Sequence, residues 1–209
     1  MMNNRIYLVA EFGILFLGLP LLFYFDLFAV PKIAALLGVT LGIVLALWFD
    51  STLSFERLFR QPNRYSVRSL AVRSLLVALF MLGLVLLVHP DTLFAFPRKQ
   101  PVVWIVVMLL YPLLSALPQE LIYREFFFQR YRSLFPSEAV LGYASALAFA
   151  LLHIIYDNWW AVGLSLAGGI LFMHTYRRSG SLYWVTVEHA VYGCLVFTIG
   201  MGQYFYEPF

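Results

Sequence analysis

The stretch LAVRSLLVALFMLGLVLLV, residues 70–88, decides the fold class. A helix needs about 20 apolar residues to cross the hydrocarbon core of a bilayer, and this run meets that length. Working outward from it, six more segments qualify: Ile6–Phe25, Val30–Phe49, Val102–Leu117, Glu138–Tyr156, Trp159–Tyr176 and Leu182–Gly200. The expected fold is therefore all-α, a polytopic transmembrane bundle of seven to eight helices. The eighth is Gln119–Phe135, an aromatic and charged stretch that either extends the fourth helix or lies along the interface, partly re-entrant.

Composition points the same way. Of 209 residues, 62% are hydrophobic and 12% charged, whereas soluble domains carry about 25% charged residues; mean hydropathy is +0.83. The 20 Phe, 13 Tyr and 5 Trp suit lipid-facing positions and interfacial belts. These values exclude a soluble enzyme. The net charge of +3 is dispersed over loops, so no nucleic-acid partner is expected. The expected partners are membrane lipid and a membrane-associated protein or peptide. Cys194 lies in an apolar segment and reads as a packing residue, with no disulfide or thiolate cluster available to it.

Ile6–Phe25 reads as a retained first helix and not a cleaved signal. Arg57, Arg60, Arg64, Arg68, Arg124, Arg130, Arg132, Arg177 and Arg178 all fall on one side if the N-terminus is cytoplasmic, and Lys32, Arg98 and Lys99 on the other. By the positive-inside rule, the chain is expected in the plasma (inner) membrane with its N-terminus in the cytoplasm. No repeat or long linker divides it. It reads as a single integral membrane domain, with N-terminal helices over 1–100 and a functional core over 101–200.

An ionisable side chain at membrane depth costs about 2.5–3.5 kcal/mol on insertion scales, so each needs a partner, water or a function. Glu120 and Arg124 stand four residues apart after Pro118 and share a helix face, which fits an ion pair at a helix end. His153 and His189 are intramembrane histidines on two further helices, with Glu188 or Tyr192 placed to orient His189. A carboxylate and two histidines supply a base to deprotonate water, a group to orient it and a donor to an oxyanion. The same three could ligate a metal, although the chain has no His-Glu-x-x-His motif; no cofactor is otherwise expected. Glu11 reads as a helix-to-helix hydrogen-bonding group, His174 and His89 as interfacial, and Gly163, Gly168 and Gly169 as close-packing positions. A proton-linked transporter follows from the same buried charges, and the missing repeats count against it.

With these residues in place, the second half resembles the CAAX protease and bacteriocin-processing (CPBP, or Abi) family of glutamic-type intramembrane endopeptidases. The family's Glu-Glu-x-x-x-Arg element is similar to Gln119-Glu120 through Arg124, its Phe-x-x-x-His element to Phe149–His153, and its His-x-x-x-Asn/Asp/small element to His189–Gly193. The resemblance implies a hydrolase that cleaves a membrane-associated protein or C-terminal sorting tail. It also implies that Glu120 and His153 activate water, that His189 stabilises the oxyanion, and that Gln119, Arg124, Tyr192 and Gly193 support them. Gln119 stands where the family has its first Glu, and Gly193 where it usually has Asn. An amide is no general base, so either Glu120 takes over or the chain is a catalytically altered, substrate-binding member; at Gly193, Tyr192 or a backbone N–H is the candidate replacement donor.

Overall fold

The structure is a computed structural model that describes residues 2–50, 53–54, 56 and 67–205. Arg57, Arg60 and Arg64 of the basic loop lie outside the described residues. The described residues form seven long helices: α1 (Arg5–Tyr24), α2 (Lys32–Phe49), α3 (Val67–Val88), α4 (Pro101–Arg130), α5 (Glu138–Tyr156), α6 (Trp159–Ser179) and α7 (Leu182–Ile199). All except α6 are long and apolar enough to span a membrane. That helix is 21 residues long but carries His174, Arg177 and Arg178 in its last turns, which lowers its hydropathy. Large apolar side chains such as Leu87 and Phe49, 85% and 78% exposed, cover the outside of the bundle. Water would not tolerate such a surface, and lipid does.

Of the stretch 119–135, residues 119–130 extend the fourth helix, and a 3-10 turn at Arg132–Leu134 follows. Pro112 and Pro118 each remove a backbone donor, yet α4 runs on past them by widening into π turns at Pro112–Ala116 and Leu121–Phe126. Neighbouring helices make this tolerable, since π bulges rearrange the hydrogen bonding that proline disrupts. The helix becomes buried all round at this level: every residue from Pro118 to Phe127 is buried. A core of Phe16, Ile43, Tyr123, Phe127, Phe149 and Phe172 surrounds it, with Phe16 packed edge-on to Tyr123 and Phe127 at 5.3 and 5.0 Å.

Helix ends are set by local chemistry. The Ser137 and Asn158 side chains accept the Val140 and Ala161 N–H groups and start α5 and α6. The last turn of α5, His153–Tyr156, tightens to a 3-10 turn before Asp157 adopts positive φ. The Lys32 ammonium, 3.0 Å from the Ile155 carbonyl, caps that end. Opposite the basic end, the loop at Thr92 packs on the end of α7, where Gly200 has φ +132° and a Cβ would lie 2.5 Å from the Thr92 oxygen; only glycine fits.

Of the three glycines assigned to packing on α6, only Gly169 abuts another helix: its Cβ would meet the Ala146 carbonyl and the Phe149 ring at 3.2 Å. At Gly168 the Cβ would meet Phe172 of the same helix, and at Gly163 nothing within 4 Å, so neither brings two helices together. Gly142 of α5 is a second close approach, with its Cβ position 2.8 Å from Met173.

The acid of α1 has a partner that no local pattern signals. Glu11 takes two hydrogen bonds from the Arg130 guanidinium, both 2.9 Å, and one from the Tyr131 hydroxyl at 2.8 Å; Arg130 also reaches Asp50 at 3.1 Å. This cluster ties α1, α2 and the end of α4 together at the basic end. The Tyr131 phenol, buried and donating to a carboxylate, is pushed above its usual pKa.

Candidate active site

Arg124 is a wholly buried guanidinium, 0% exposed, held on every side. Its Nη atoms donate to the Tyr123 and Gly169 carbonyls at 3.3 Å and to Ser145 Oγ at 3.1 Å, and its plane lies against the Phe149 ring at 5.2 Å. Its Nε stands 3.3 Å from Glu120 Oε2, the i, i+4 pair expected from the sequence. The close approach at Gly169 is what lets a backbone carbonyl of α6 reach it.

The other oxygen of Glu120 accepts the Nδ1–H of His189 at 2.8 Å. That bond fixes the imidazole, which also stacks on Phe172 with centroids 4.5 Å apart. His189 therefore presents its Nε2 edge elsewhere, as a carboxylate-bound histidine does in hydrolytic triads. Glu120, and neither Glu188 nor Tyr192, orients this ring. The Tyr192 hydroxyl donates to Glu188 at 2.8 Å, and Glu188 pairs with Arg73 at 3.3 Å.

His153 is held differently. Its Nδ1–H donates to the Phe149 carbonyl at 2.8 Å, satisfying one of the carbonyls that the end of α5 would leave bare. With that nitrogen protonated, Nε2 is an acceptor. The Phe149 ring lies between the two histidines, 4.8 Å from His153 and 5.5 Å from His189 by centroids.

A cavity of about 210 Å³ is lined by Gln119, His153, His189, Tyr192 and Gly193, together with Tyr111, Ser115 and Phe172. The structure thus brings all the expected residues to one place except that Glu120 and Arg124 stand behind the wall. Glu120 is 0% exposed, engaged on both oxygens and not part of the lining; its neighbour Gln119 faces the cavity. The Gln119 amide donates to Ser115 Oγ at 2.8 Å, and its carbonyl oxygen has no partner among the described residues. Tyr111 is a lining residue that sequence reading missed, since a tyrosine in an apolar run carries no signal of its own. Glu125 was missed as well: it is buried and accepts from Gln129 and Tyr176 at 2.8 and 2.9 Å, a structural role below the site.

A second, largely apolar cavity of about 1030 Å³, between α1, α2 and α4, shares Ser115, Gln119, His153, Tyr156 and Phe205 with the first. Among the described residues, no three His, Cys, Asp or Glu side chains converge as metal ligands.

No curated protein and no solved structure matches the chain. Residues 101–195 match the model of a family described as type II CAAX prenyl endopeptidase, Rce1-like, in agreement with the resemblance of the three motifs. The matched span runs from the start of α4 into α7 and holds every residue of the site. Over residues 101–195, somewhat less than half of its length, the chain is similar to the Rce1-like family of type II CAAX prenyl endopeptidases.

Proposed function

We propose that the protein is an intramembrane endopeptidase that hydrolyses a peptide bond near the C-terminus of a membrane-associated protein. The observation that carries this reading is the pair of anchored histidines on one small cavity: His153 tethered to the Phe149 carbonyl and His189 tethered to Glu120, both through Nδ1. In this reading, water bound to the Gln119 carbonyl oxygen loses a proton to His153 Nε2 as its oxygen adds to the scissile carbonyl carbon. The resulting oxyanion accepts a hydrogen bond from His189. When the C–N bond breaks, His153 returns the proton to the leaving amine.

Glu120 then acts through His189 and not on the water. In its imidazolium form, balanced by the Glu120 carboxylate, His189 has a second N–H, on Nε2, to give to the oxyanion. The apolar cavity beside the site supports a substrate with a bulky apolar group close to the cleaved bond, because such a group would fill the 1030 Å³ space while the backbone reaches Gln119 and His153.

Purified protein in detergent or liposomes, offered C-terminal peptides with and without a lipid attached, should cleave the lipid-bearing set, and His153→Ala should lower kcat by about 10²–10⁴-fold. Equal cleavage by His153→Ala removes the assignment. A binding scaffold without turnover is the second reading, favoured by Gln119 in place of a carboxylate on the cavity wall. Peptide binding without products, and turnover appearing in Gln119→Glu, would establish it.

A further inference from the structure

One polar group on the cavity wall has no role in the chemistry described so far, the hydroxyl of Tyr111. It lines the cavity, and no hydrogen bond joins it to any described residue. Its ring packs edge-on to His189 and Phe197 with centroids 6.0 and 5.5 Å away. Its position is dictated from α7: a Cβ built on Gly193 would fall 2.3 Å from the Tyr111 oxygen and 2.2 Å from its Cε1. The phenol therefore occupies the space a side chain at 193 would need, and Gly193 is the residue type that admits it. Gly193 lies one turn beyond His189, on the same face of α7, so a donor in that space faces the same substrate atom as His189.

Stabilising a tetrahedral oxyanion takes preorganised donors, of which one alone is seldom the complement. His189 supplies one. The Glu188 bond engages the Tyr192 hydroxyl, which takes Tyr192 out of consideration as the second. From this placement we infer that Tyr111 is the second oxyanion donor, its O–H hydrogen-bonded to the developing negative oxygen in the space vacated at Gly193. The inference rests on the endopeptidase reading, and makes Tyr111 a catalytic residue contributed by α4 in place of one from α7.

Tyr111→Phe keeps the ring packed on Gly193 and deletes only the donor. With a peptide the parent protein cleaves, it should lower kcat by about 10²-fold or more and leave KM within a factor of about two. Gly193→Asn should clash with the Tyr111 ring and lose activity, and Tyr111→Ala with Gly193→Asn should recover part of what Tyr111→Ala alone loses. If the parent cleaves, His153→Ala does not, and Tyr111→Phe turns over at the parental kcat, the Tyr111 assignment is overturned while the endopeptidase reading stands. If the parent cleaves none of the lipidated or unlipidated peptides, the endopeptidase reading falls and the Tyr111 assignment with it.

Discussion

Replacing Glu120 by Gln removes one charge and preserves shape, and the consequence should separate into a stability effect and a catalytic effect. The carboxylate sits 3.3 Å from the Arg124 guanidinium with both side chains 0% exposed. At that distance and an effective dielectric of about 20, their attraction is about 5 kcal/mol. Removing one member of such a pair costs about 3–5 kcal/mol, because the other charge stays buried without compensation. The Glu120→Gln single variant should therefore unfold at a Tm lower by roughly 10 °C. Adding Arg124→Met removes the stranded charge, and the double variant should regain most of that stability, since neutral replacements of both partners are often close to neutral. Activity should not return with it. The His189 Nδ1–H would then face a neutral amide, the imidazolium would lose its counter-charge, and kcat should stay down by about 10²-fold or more. The assays are thermal unfolding in detergent and peptide cleavage on the same preparations. A double variant as active as the parent would refute the claim that Glu120 acts through His189 and leave it a purely structural partner of Arg124.

Gly169→Ala should cost about 1–3 kcal/mol and reduce activity, because the added methyl meets a backbone carbonyl and the Phe149 ring, both at 3.2 Å, and overpacked sites respond on that scale. Gly142→Ala should be milder despite a nominal 2.8 Å contact, since the flexible Met173 side chain can move; comparing the two unfolding curves tests this. Glu11→Gln should lower stability by up to about 1 kcal/mol, as expected for a partly exposed ion pair, without changing kcat. Proton flux into reconstituted vesicles that depends on Glu11 would instead favour a transporter. With its two oxygens committed to Arg124 and His189, Glu120 is not placed to join the histidines as a metal ligand, so on the proposed reading chelator treatment should leave the cleavage rate unchanged.

Hydropathy alone made the spanning helices legible, since bilayer thickness sets their length whatever they pack against. It did not reveal the full length of α4. Pro118 reads as a disturbance because an α-helix has no slack for a missing donor, whereas the structure carries the helix past it between two π turns, Pro112–Ala116 and Leu121–Phe126. The Glu120–Arg124 pair was legible as a local i, i+4 contact. The bonds that decide the site were not: His189 to Glu120 joins residues 69 apart in sequence, and Glu11 to Arg130 residues 119 apart. Several acids were available to each partner, and only packing chooses among them.

The same geometry decides which residue can take over from a missing carboxylate at 119. Successive residues on an α-helix point about 100° apart, and here Gln119 lines the cavity while Glu120 does not. Glu120 is committed to the face that carries Arg124, and its two oxygens are engaged there. On the proposed reading Glu120 therefore acts through His189, and a water bound in the cavity would meet Gln119 and His153 instead. It follows that Gln119→Glu should put the only carboxylate on the cavity wall among the described residues. It should raise kcat and make His153→Ala less damaging, because the new carboxylate supplies a second base. If the Gln119→Glu variant leaves the effect of His153→Ala undiminished, His153 does something other than accept the proton of water.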